Sequence, residues 1–157
     1  MCHQCDYVRG LKTSGLGYTP NRLKVLQAVG RSAAPASAQE IFAALRRTSR
    51  INRVTVYRIL DLLVASGLVE RLSGGGRTFF YGLAPSEQHP RHAHFYCRNC
   101  GRLVCLSPEC LPLEGVALRG KLPGRIEGLQ IRVDGVCRDC LAAEEGAAGG
   151  AAAGGGR

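Results

Sequence analysis

The stretch NRVTVYRILDLLVASGLVERLSGGGRTFFYGL, residues 52–83, decides the fold of the N-terminal half of this chain. Its first part, Asn52 to Ser66, repeats apolar side chains at the spacing typical of one buried helix face, and Gly67 ends the helix. Two β-rich runs follow, residues 68–72 and 78–83, and the glycines between them are typical of a hairpin turn. The stretch therefore predicts a helix followed by a two-stranded hairpin.

Two shorter helices are predicted upstream of this stretch. Thr19 followed by Pro20 is a helix start, because threonine caps the first turn and proline needs no hydrogen-bond partner there. Ser37 and Glu40 have the spacing of a capping box, which opens the second helix. Three short helices and a hairpin make a winged helix-turn-helix, which we assign to residues 1–84 as a DNA-binding domain.

The third helix has a polar, basic and aromatic face opposite its apolar stripe. A first turn of this composition suits the major groove of DNA, where arginine reads guanine and both arginine and tyrosine bind phosphates. The distribution of charge agrees with DNA binding by the N-terminal half. Residues 1–90 carry 12 Lys and Arg against 5 Asp and Glu, whereas residues 91–157 carry 9 Lys and Arg against 7 Asp and Glu. The alternative is an ordinary amphipathic helix with a solvated face. The candidate DNA contacts on this helix are Asn52, Arg53, Thr55, Tyr57 and Arg58.

Two CxxC pairs mark the C-terminal half, Cys97 with Cys100 and Cys137 with Cys140. Thiolates at this spacing reach one ion from a single tight turn, and two such turns complete a tetrahedral zinc shell. The alternatives are unmetalated cysteines, a redox-active pair and a secreted disulfide framework. Because the N-terminus lacks the apolar run of a secretory signal, we expect a cytoplasmic protein with reduced thiols. The pattern therefore predicts a structural zinc site made of four cysteines.

The remaining segments divide by composition. Residues 85–91 contain two prolines and are predicted to be a hinge. Residues 92–141 are predicted to form a small α/β domain with a weak helix between its last two strands, so the fold class predicted for the chain is α+β. Residues 142–157 are predicted to be a disordered tail, because residues 146–156 contain only Gly and Ala. The predicted strands of the second domain are His94–Tyr96, Leu103–Leu106 and Ile126–Val133.

Several of these motifs together resemble the ferric uptake regulator (Fur) family of metal-sensing repressors, over about Gly17 to Cys140. The matching pieces are YTPNR (18–22), VTVYR (54–58), SGLVE (66–70), HAHFYCRNCG (92–101) and GVCRDC (135–140). Their order and spacing are specific together, whereas any one of them alone would be weak. The resemblance implies a homodimer that dimerises through its C-terminal domains and binds an inverted-repeat operator in double-stranded DNA through its winged helices.

The resemblance also implies roles for individual residues. The four CxxC cysteines would hold structural zinc, and His92 and His94 would belong to a regulatory metal site near the hinge. Tyr57 and Arg58 would contact DNA, and Arg22 in the first matching piece joins them as a candidate contact.

Departures from the family pattern bear on which metal is sensed. Ala34 and Gly82 stand where iron- or peroxide-responsive members usually place a histidine and a carboxylate. Leu129 stands in place of a further histidine, and Cys105 in place of an acidic residue. The loss of hard oxygen ligands and the gain of a soft sulfur favour zinc over iron or manganese.

The candidate regulatory site therefore consists of His92, His94 and Cys105, with Glu70 or His89 as a fourth ligand. Cys105 could instead be a small buried apolar residue, and His89 a plain linker residue. The N-terminal Cys2, His3 and Cys5 also have ligand spacing, but their role stays open.

We predict a metal-dependent transcriptional repressor that responds to zinc and controls metal-homeostasis genes, with one structural and one regulatory divalent metal per chain. The alternatives are an iron- or peroxide-responsive regulator of the same family, a redox sensor in which oxidation of Cys105, Cys110 or the His92/His94 pair releases DNA, and a zinc-stabilised interaction module without DNA binding. Because no catalytic motif is present, we expect neither an enzyme nor a small organic substrate, and we expect no membrane partner.

Overall fold

The computed structural model describes residues 6–107, 109–111, 124–125 and 129–150. Within these ranges the chain forms five helices and six strands. The helices are α1 Tyr7–Thr13, α2 Pro20–Arg31, α3 Ala38–Arg46, α4 Arg53–Ala65 and α5 Arg138–Gly150. The strands are β1 Ala36–Ser37, β2 Val69–Ser73, β3 Phe79–Leu83, β4 His94–Cys97, β5 Leu103–Cys105 and β6 Arg132–Gly135.

The three predicted N-terminal helices are confirmed as α2, α3 and α4. The first two begin at the predicted caps, and α4 begins one residue after the predicted start at Asn52. The Thr19 hydroxyl accepts a hydrogen bond from the Arg22 amide, and Ser37 and Glu40 form a reciprocal capping box. The Asn52 side chain accepts from the Thr55 amide at 2.7 Å. Gly67 follows α4 with φ +71°, a conformation that glycine adopts without strain.

The N-terminal core lies between the helices and an antiparallel sheet of order β1-β3-β2. The fully buried members of this core include Val56, Leu60 and Leu63 from the predicted stripe of α4. The predicted hairpin is confirmed, because β2 and β3 pair from Val69 opposite Leu83 to Ser73 opposite Phe79. Together these elements form the winged helix-turn-helix that the sequence predicts, with the glycine-rich wing at residues 73–78.

Helix α1 and strand β1 were not predicted. Asp6 caps α1 by accepting from the Arg9 amide, and Leu11 is fully buried in the common core. Two residues form β1, which pairs with β3 through Ala36 opposite Tyr81. Both elements are stabilised by contacts with distant parts of the chain rather than by a strong local pattern.

The C-terminal half contains a second sheet of order β5-β4-β6. Strand β4 pairs antiparallel with β5 and parallel with β6. The first two strands lie within one or two residues of their predicted bounds, whereas β6 begins at Arg132 rather than at residue 126. The weak helix predicted between β5 and β6 falls on residues outside the described ranges.

Helix α5 corrects the prediction of a disordered tail from residue 142. The helix extends to Gly150, so residues 142–150 are helical, while residues 151–157 lie outside the described part of the chain. Alanine has the highest helix propensity, and Glu144 accepts a hydrogen bond from the Asn99 side chain. These two effects outweigh the glycines in this segment. No helix in the described ranges is long and apolar enough to cross a membrane.

Candidate metal centres and nucleic-acid face

The four predicted zinc cysteines form one cluster. Cys97 ends β4 and is fully buried, Cys100 lies on the following turn, and Cys137 and Cys140 lie where β6 leads into α5. Their sulfur atoms lie within 4.8 Å of one another, with Cys97 to Cys140 at 3.9 Å and Cys100 to Cys137 at 3.8 Å. A zinc ion with Zn–S bonds of about 2.3 Å requires sulfur pairs about 3.8 Å apart. This four-cysteine cluster therefore has the dimensions of a tetrahedral zinc shell.

The protonation of this cluster also suits a metal. Backbone N–H groups of Cys100 and Cys137 lower the pKa of the Cys97 thiol to about 6, and the Cys137 amide donates to its sulfur at 3.3 Å. Hydrogen bonding with the Cys137 thiol and burial raise the pKa of Cys140 to about 12. Four adjacent thiols cannot all ionise unless a cation compensates their charge, so a metal ion bound here would displace protons from them.

A second cluster lies at the start of the C-terminal sheet. The ligand atoms of His92, His94 and Cys105 lie within 4.8 Å of one another, and the rings of the two histidines are 4.7 Å apart. The Nε2 atom of His92 and the Nδ1 atom of His94 are buried and have no hydrogen-bond partner. Buried polar atoms normally find a partner, so two orphaned nitrogens beside a thiol indicate that a ligand belongs there.

The hydrogen bonding of this cluster suits metal ligation. The Nδ1 atom of His92 lies 3.0 Å from the Pro90 carbonyl oxygen, which can only accept, so in a neutral ring this contact puts the proton on Nδ1 and the lone pair on Nε2. Burial, and then the neighbouring His92 and His89, lower the pKa of His94 to about 4. Burial raises the pKa of the Cys105 thiol, which makes it a weak nucleophile without a metal.

The candidate fourth ligands line the same cavity, whose volume is about 50 Å³. Glu70 reaches it from β2 and His89 from the hinge, but neither belongs to the tight group of ligand atoms. Burial raises the pKa of Glu70, while Arg91 and His92 act in the opposite direction. The His89 ring packs edge-on against His92 at 5.0 Å, and burial lowers its pKa.

Besides Cys105, two other departures from the family pattern lie on this cavity. Ala34 and Gly82 both line it. A Cβ on Gly82 would meet its nearest atoms at 3.6 Å or more, an ordinary contact distance, so the position accepts a Cβ that this sequence does not supply. Of the other cysteines, Cys110 is exposed and contacts the Ser107 hydroxyl at 3.4 Å, away from both clusters. Cys2, His3 and Cys5 lie outside the described residues.

The residues predicted to contact DNA lie in the first turns of α4. Arg58 is exposed, and the Arg53 guanidinium donates to the Tyr57 hydroxyl at 3.1 Å and lies over its ring at 5.4 Å. This contact holds both side chains on one face. Asn52 is exposed but uses its side-chain oxygen as the helix cap, and Thr55 is half-buried beside it.

Arg22 lies in the first turn of α2 and not on α4. Its guanidinium donates to the carbonyl oxygens of Leu16 and Gly17 and so holds the loop between α1 and α2. These contacts use one nitrogen of the guanidinium and leave its charge uncompensated. Val54 was missed, although its side chain is 60% exposed in the first turn of α4 and its place in the helical pattern puts it off the apolar stripe.

Known proteins resemble this chain along most of its length. The model for the ferric uptake regulator family matches residues 13–110. The transcriptional regulator FurA of Mycobacterium tuberculosis is 32% identical over 144 residues, which is 88% of this chain and 92% of that protein. The peroxide operon regulator of Bacillus subtilis is 29% identical over 136 residues, 85% and 90% of the two chains. The crystal structure of the Vibrio cholerae ferric uptake regulator has a TM-score of 0.67 at 25% identity and covers 84% of this chain and 100% of that one.

Proposed function

Because this chain belongs to the ferric uptake regulator family of metal-responsive, DNA-binding transcriptional regulators, we propose that it is a repressor that responds to zinc through the cluster at its hinge. The proposed regulatory ligands are His92, His94 and Cys105, with Glu70 completing the set. The structural zinc is assigned to the four CxxC cysteines. We further propose that the protein acts in the cytoplasm as a homodimer on an inverted-repeat operator, controls metal-homeostasis genes and has no catalytic activity.

The observation that carries this proposal is the pair of orphaned imidazole nitrogens beside the Cys105 thiol. These groups lie in a cavity whose other wall comes from the DNA-binding domain, through Ala34, Glu70 and Gly82. Bound zinc would supply a positive charge that four ligands from both sides of the hinge can share. The residues on the two walls would then favour one relative arrangement of the domains, which is the condition for coupling metal to DNA affinity.

The choice of zinc follows from the donor atoms. Two imidazole nitrogens, one thiolate and one carboxylate make a four-coordinate set with a single hard oxygen, which suits tetrahedral zinc. Iron(II) and manganese(II) prefer more oxygen ligands, and Ala34 and Gly82 offer none on the facing wall. A wholly thiol-based sensor is disfavoured, because the half-buried Cys105 has a raised pKa and therefore little reactive thiolate.

Glu70 is proposed ahead of His89 because of where each lies. Glu70 is on β2 in the DNA-binding domain, so ligation by Glu70 would tie the two domains together. His89 lies in the hinge and contacts the His92 ring edge-on, which suits a residue that orients a ligand.

DNA binding is assigned to α4 and the wing. Arg53, Tyr57 and Arg58 would enter the major groove, and Arg77 at the wing tip would contact the backbone. In this proposal Arg22 acts within the fold instead of on DNA.

A mobility-shift titration tests the proposal. Protein carrying only its structural zinc is mixed with an operator duplex that was selected from a randomised library, and zinc, iron(II) or manganese(II) is added in buffered free concentrations. We expect zinc to increase DNA affinity by about 5- to 150-fold, the usual range of allosteric coupling, at a lower free concentration than the other ions. DNA affinity that is unchanged by all three ions would refute the proposal that the protein is a metal sensor. A response to iron(II) alone would assign the protein to the iron-responsive branch of the family.

A further inference from the structure

The two sheets face each other across the hinge, and their side chains meet in two rows. In the first row, Glu70 pairs with Gly82 across β2 and β3, and both line the cavity that contains His94 and its β5 partner Cys105. In the second row, Leu72 and its partner Phe80 pack in one apolar cluster with Leu103 of the C-terminal sheet, and Tyr96 packs against that cluster. The proposed metal site therefore lies directly beside an apolar contact between the two domains.

The wing tip continues this contact. The Tyr96 hydroxyl donates to the Gly75 carbonyl oxygen at 3.3 Å, and the Arg132 guanidinium donates to the Ser73 carbonyl oxygen at 2.9 Å. A Cβ on Gly75 would lie 2.5 Å from the Tyr96 ring, so only glycine permits this approach. The glycine-rich wing that the sequence identified is thus shaped to accept a tyrosine from the other domain.

Arg132 is itself held in place. It forms a two-pronged ion pair with Asp134, with Nε to Oδ1 at 2.6 Å and Nη2 to Oδ2 at 3.0 Å, and it lies over the Tyr96 ring at 5.5 Å. Along the parallel pair of β4 and β6, Arg132 is the register partner of His94, and Asp134 is the partner of Tyr96. Residues two apart on a strand share one face, so His94 and Tyr96 both point toward the DNA-binding domain.

We propose that Tyr96 and Arg132 are positioning residues that fix the wing, residues 73–78, to the strand that carries His94. The face of β4 that carries His94 and Tyr96 would then contact the DNA-binding domain at two points, the metal site at one end and the wing tip at the other. When bound metal changes the position of β4 relative to Glu70 on β2, the paired strands β4 and β6 transmit this change to the wing. The hinge is not needed for this transmission. This inference rests on the proposed metal response and adds the residues that convert it into a wing position.

The test compares the wild-type chain with the double variant Tyr96→Phe/Arg132→Gln, using the selected duplex with and without buffered zinc. Each lost hydrogen bond should reduce the zinc-induced gain in DNA affinity by about fivefold, while affinity without zinc changes by less than about twofold and zinc content per chain stays unchanged. A second readout is hydrogen exchange of the 73–78 amides, which should become faster in the double variant because the wing tip is no longer held.

Two controls separate a coupling role from mere packing. Tyr18→Phe removes a hydroxyl from a tyrosine that is 50% exposed, and it should leave the zinc-induced gain intact. In a His92→Ala/His94→Ala background, adding Tyr96→Phe/Arg132→Gln should have no further effect on DNA affinity. If the double variant loses its structural zinc, Tyr96→Phe alone is used, because it keeps the ring against Gly75.

The outcomes distinguish this inference from the proposed function. A wild-type chain without any zinc-induced gain refutes the metal response itself. A full gain in wild type that persists in the double variant refutes only the positioning role, as does an equal loss of DNA affinity with and without zinc. A reduced gain with unchanged zinc content supports it.

Discussion

The two candidate metal clusters of this molecule differ in their ligands and in the parts of the chain that supply them. The four-cysteine cluster draws all its thiols from the C-terminal region, at the ends of β4 and β6, the turn after β4 and the start of α5. The hinge cluster takes His92, His94 and Cys105 from the C-terminal sheet but shares its cavity with side chains of the DNA-binding domain. The first cluster lies within a single structural unit, and the cavity of the second is lined by residues of two units.

This difference explains why one site suits a structural ion and the other a sensor. The free energy of metal binding to a site within one domain goes into folding that domain. At a site between domains, part of that energy depends on their relative arrangement, so occupancy can change DNA affinity. The predictions below test this division of roles.

The largest effect is expected for Cys97→Ser. This change removes the fully buried thiol at the centre of the four-cysteine cluster, and the loss of the ion should unfold the C-terminal region, because structural zinc contributes on the order of 10 kcal/mol in small domains. Mass spectrometry measures the loss of zinc, and circular dichroism measures the change in thermal unfolding. The matched control is Cys110→Ser, which changes an exposed cysteine outside both clusters and should retain wild-type zinc and melting behaviour. Equal behaviour of the two variants would contradict a structural role for the cluster.

The next effect is expected for His92→Ala/His94→Ala. We expect loss of the regulatory ion with retention of the structural zinc, and loss of the zinc-induced gain of about 5- to 150-fold in DNA affinity. The metal-free protein should lose less thermal stability than Cys97→Ser, since the structural zinc is retained and the loss is limited to the packing of the buried His94 ring and the contact of His92 with the Pro90 carbonyl. Metal content per chain and mobility shift measure the two quantities. Loss of both ions would show that the clusters are not independent.

A smaller effect is expected for Cys105→Asp, which replaces the soft ligand of the hinge cluster with a hard one. Because carboxylate oxygen favours manganese(II) and iron(II) relative to thiolate sulfur, the ratio of zinc affinity to manganese affinity should fall by about tenfold or more. Competition titrations with a coloured chelator measure this ratio. Cys105→Ser is the control, since it removes the sulfur without adding charge and should weaken all three metals. An unchanged ratio would exclude Cys105 from the ligand set.

Local sequence signals predicted much of this fold, and long-range contacts explain what they missed. The caps at Thr19 and Ser37 involve atoms within three residues of one another, so a sequence pattern was enough to place them. The short strand β1 exists only because β3 lies beside it, and α1 is held by burial of Leu11 in a core formed by distant residues. Neither leaves a strong periodic pattern in the sequence.

The candidate sites follow the same rule. The CxxC spacing predicted a cluster, and the motif around His92 and His94, together with the alignment of Cys105, predicted the second. The contact of Arg22 with loop carbonyls was not predicted, because the sequence around a basic residue near a helix start does not distinguish a residue that binds loop carbonyls from one that binds phosphate. The contact between Tyr96 and Gly75 of the wing joins residues that are 21 positions apart in the sequence, and no local sequence pattern predicts it.

The smallest predicted effect concerns the wall of the hinge cavity. There, Glu70→Gln and His89→Ala test which of the two residues is the fourth metal ligand and which only packs beside the site. Burial raises the pKa of Glu70, so removing its carboxylate charge should not lower the stability of the metal-free protein. Zinc affinity at the hinge should nevertheless fall by about tenfold, because a neutral amide is a poorer ligand. His89→Ala should weaken zinc binding less, since the His89 ring only packs against His92. Calorimetric zinc titration of both variants measures the difference. A larger loss of zinc affinity for His89→Ala would show that the fourth ligand comes from the hinge and not from the DNA-binding domain. The metal would then not connect the two domains directly.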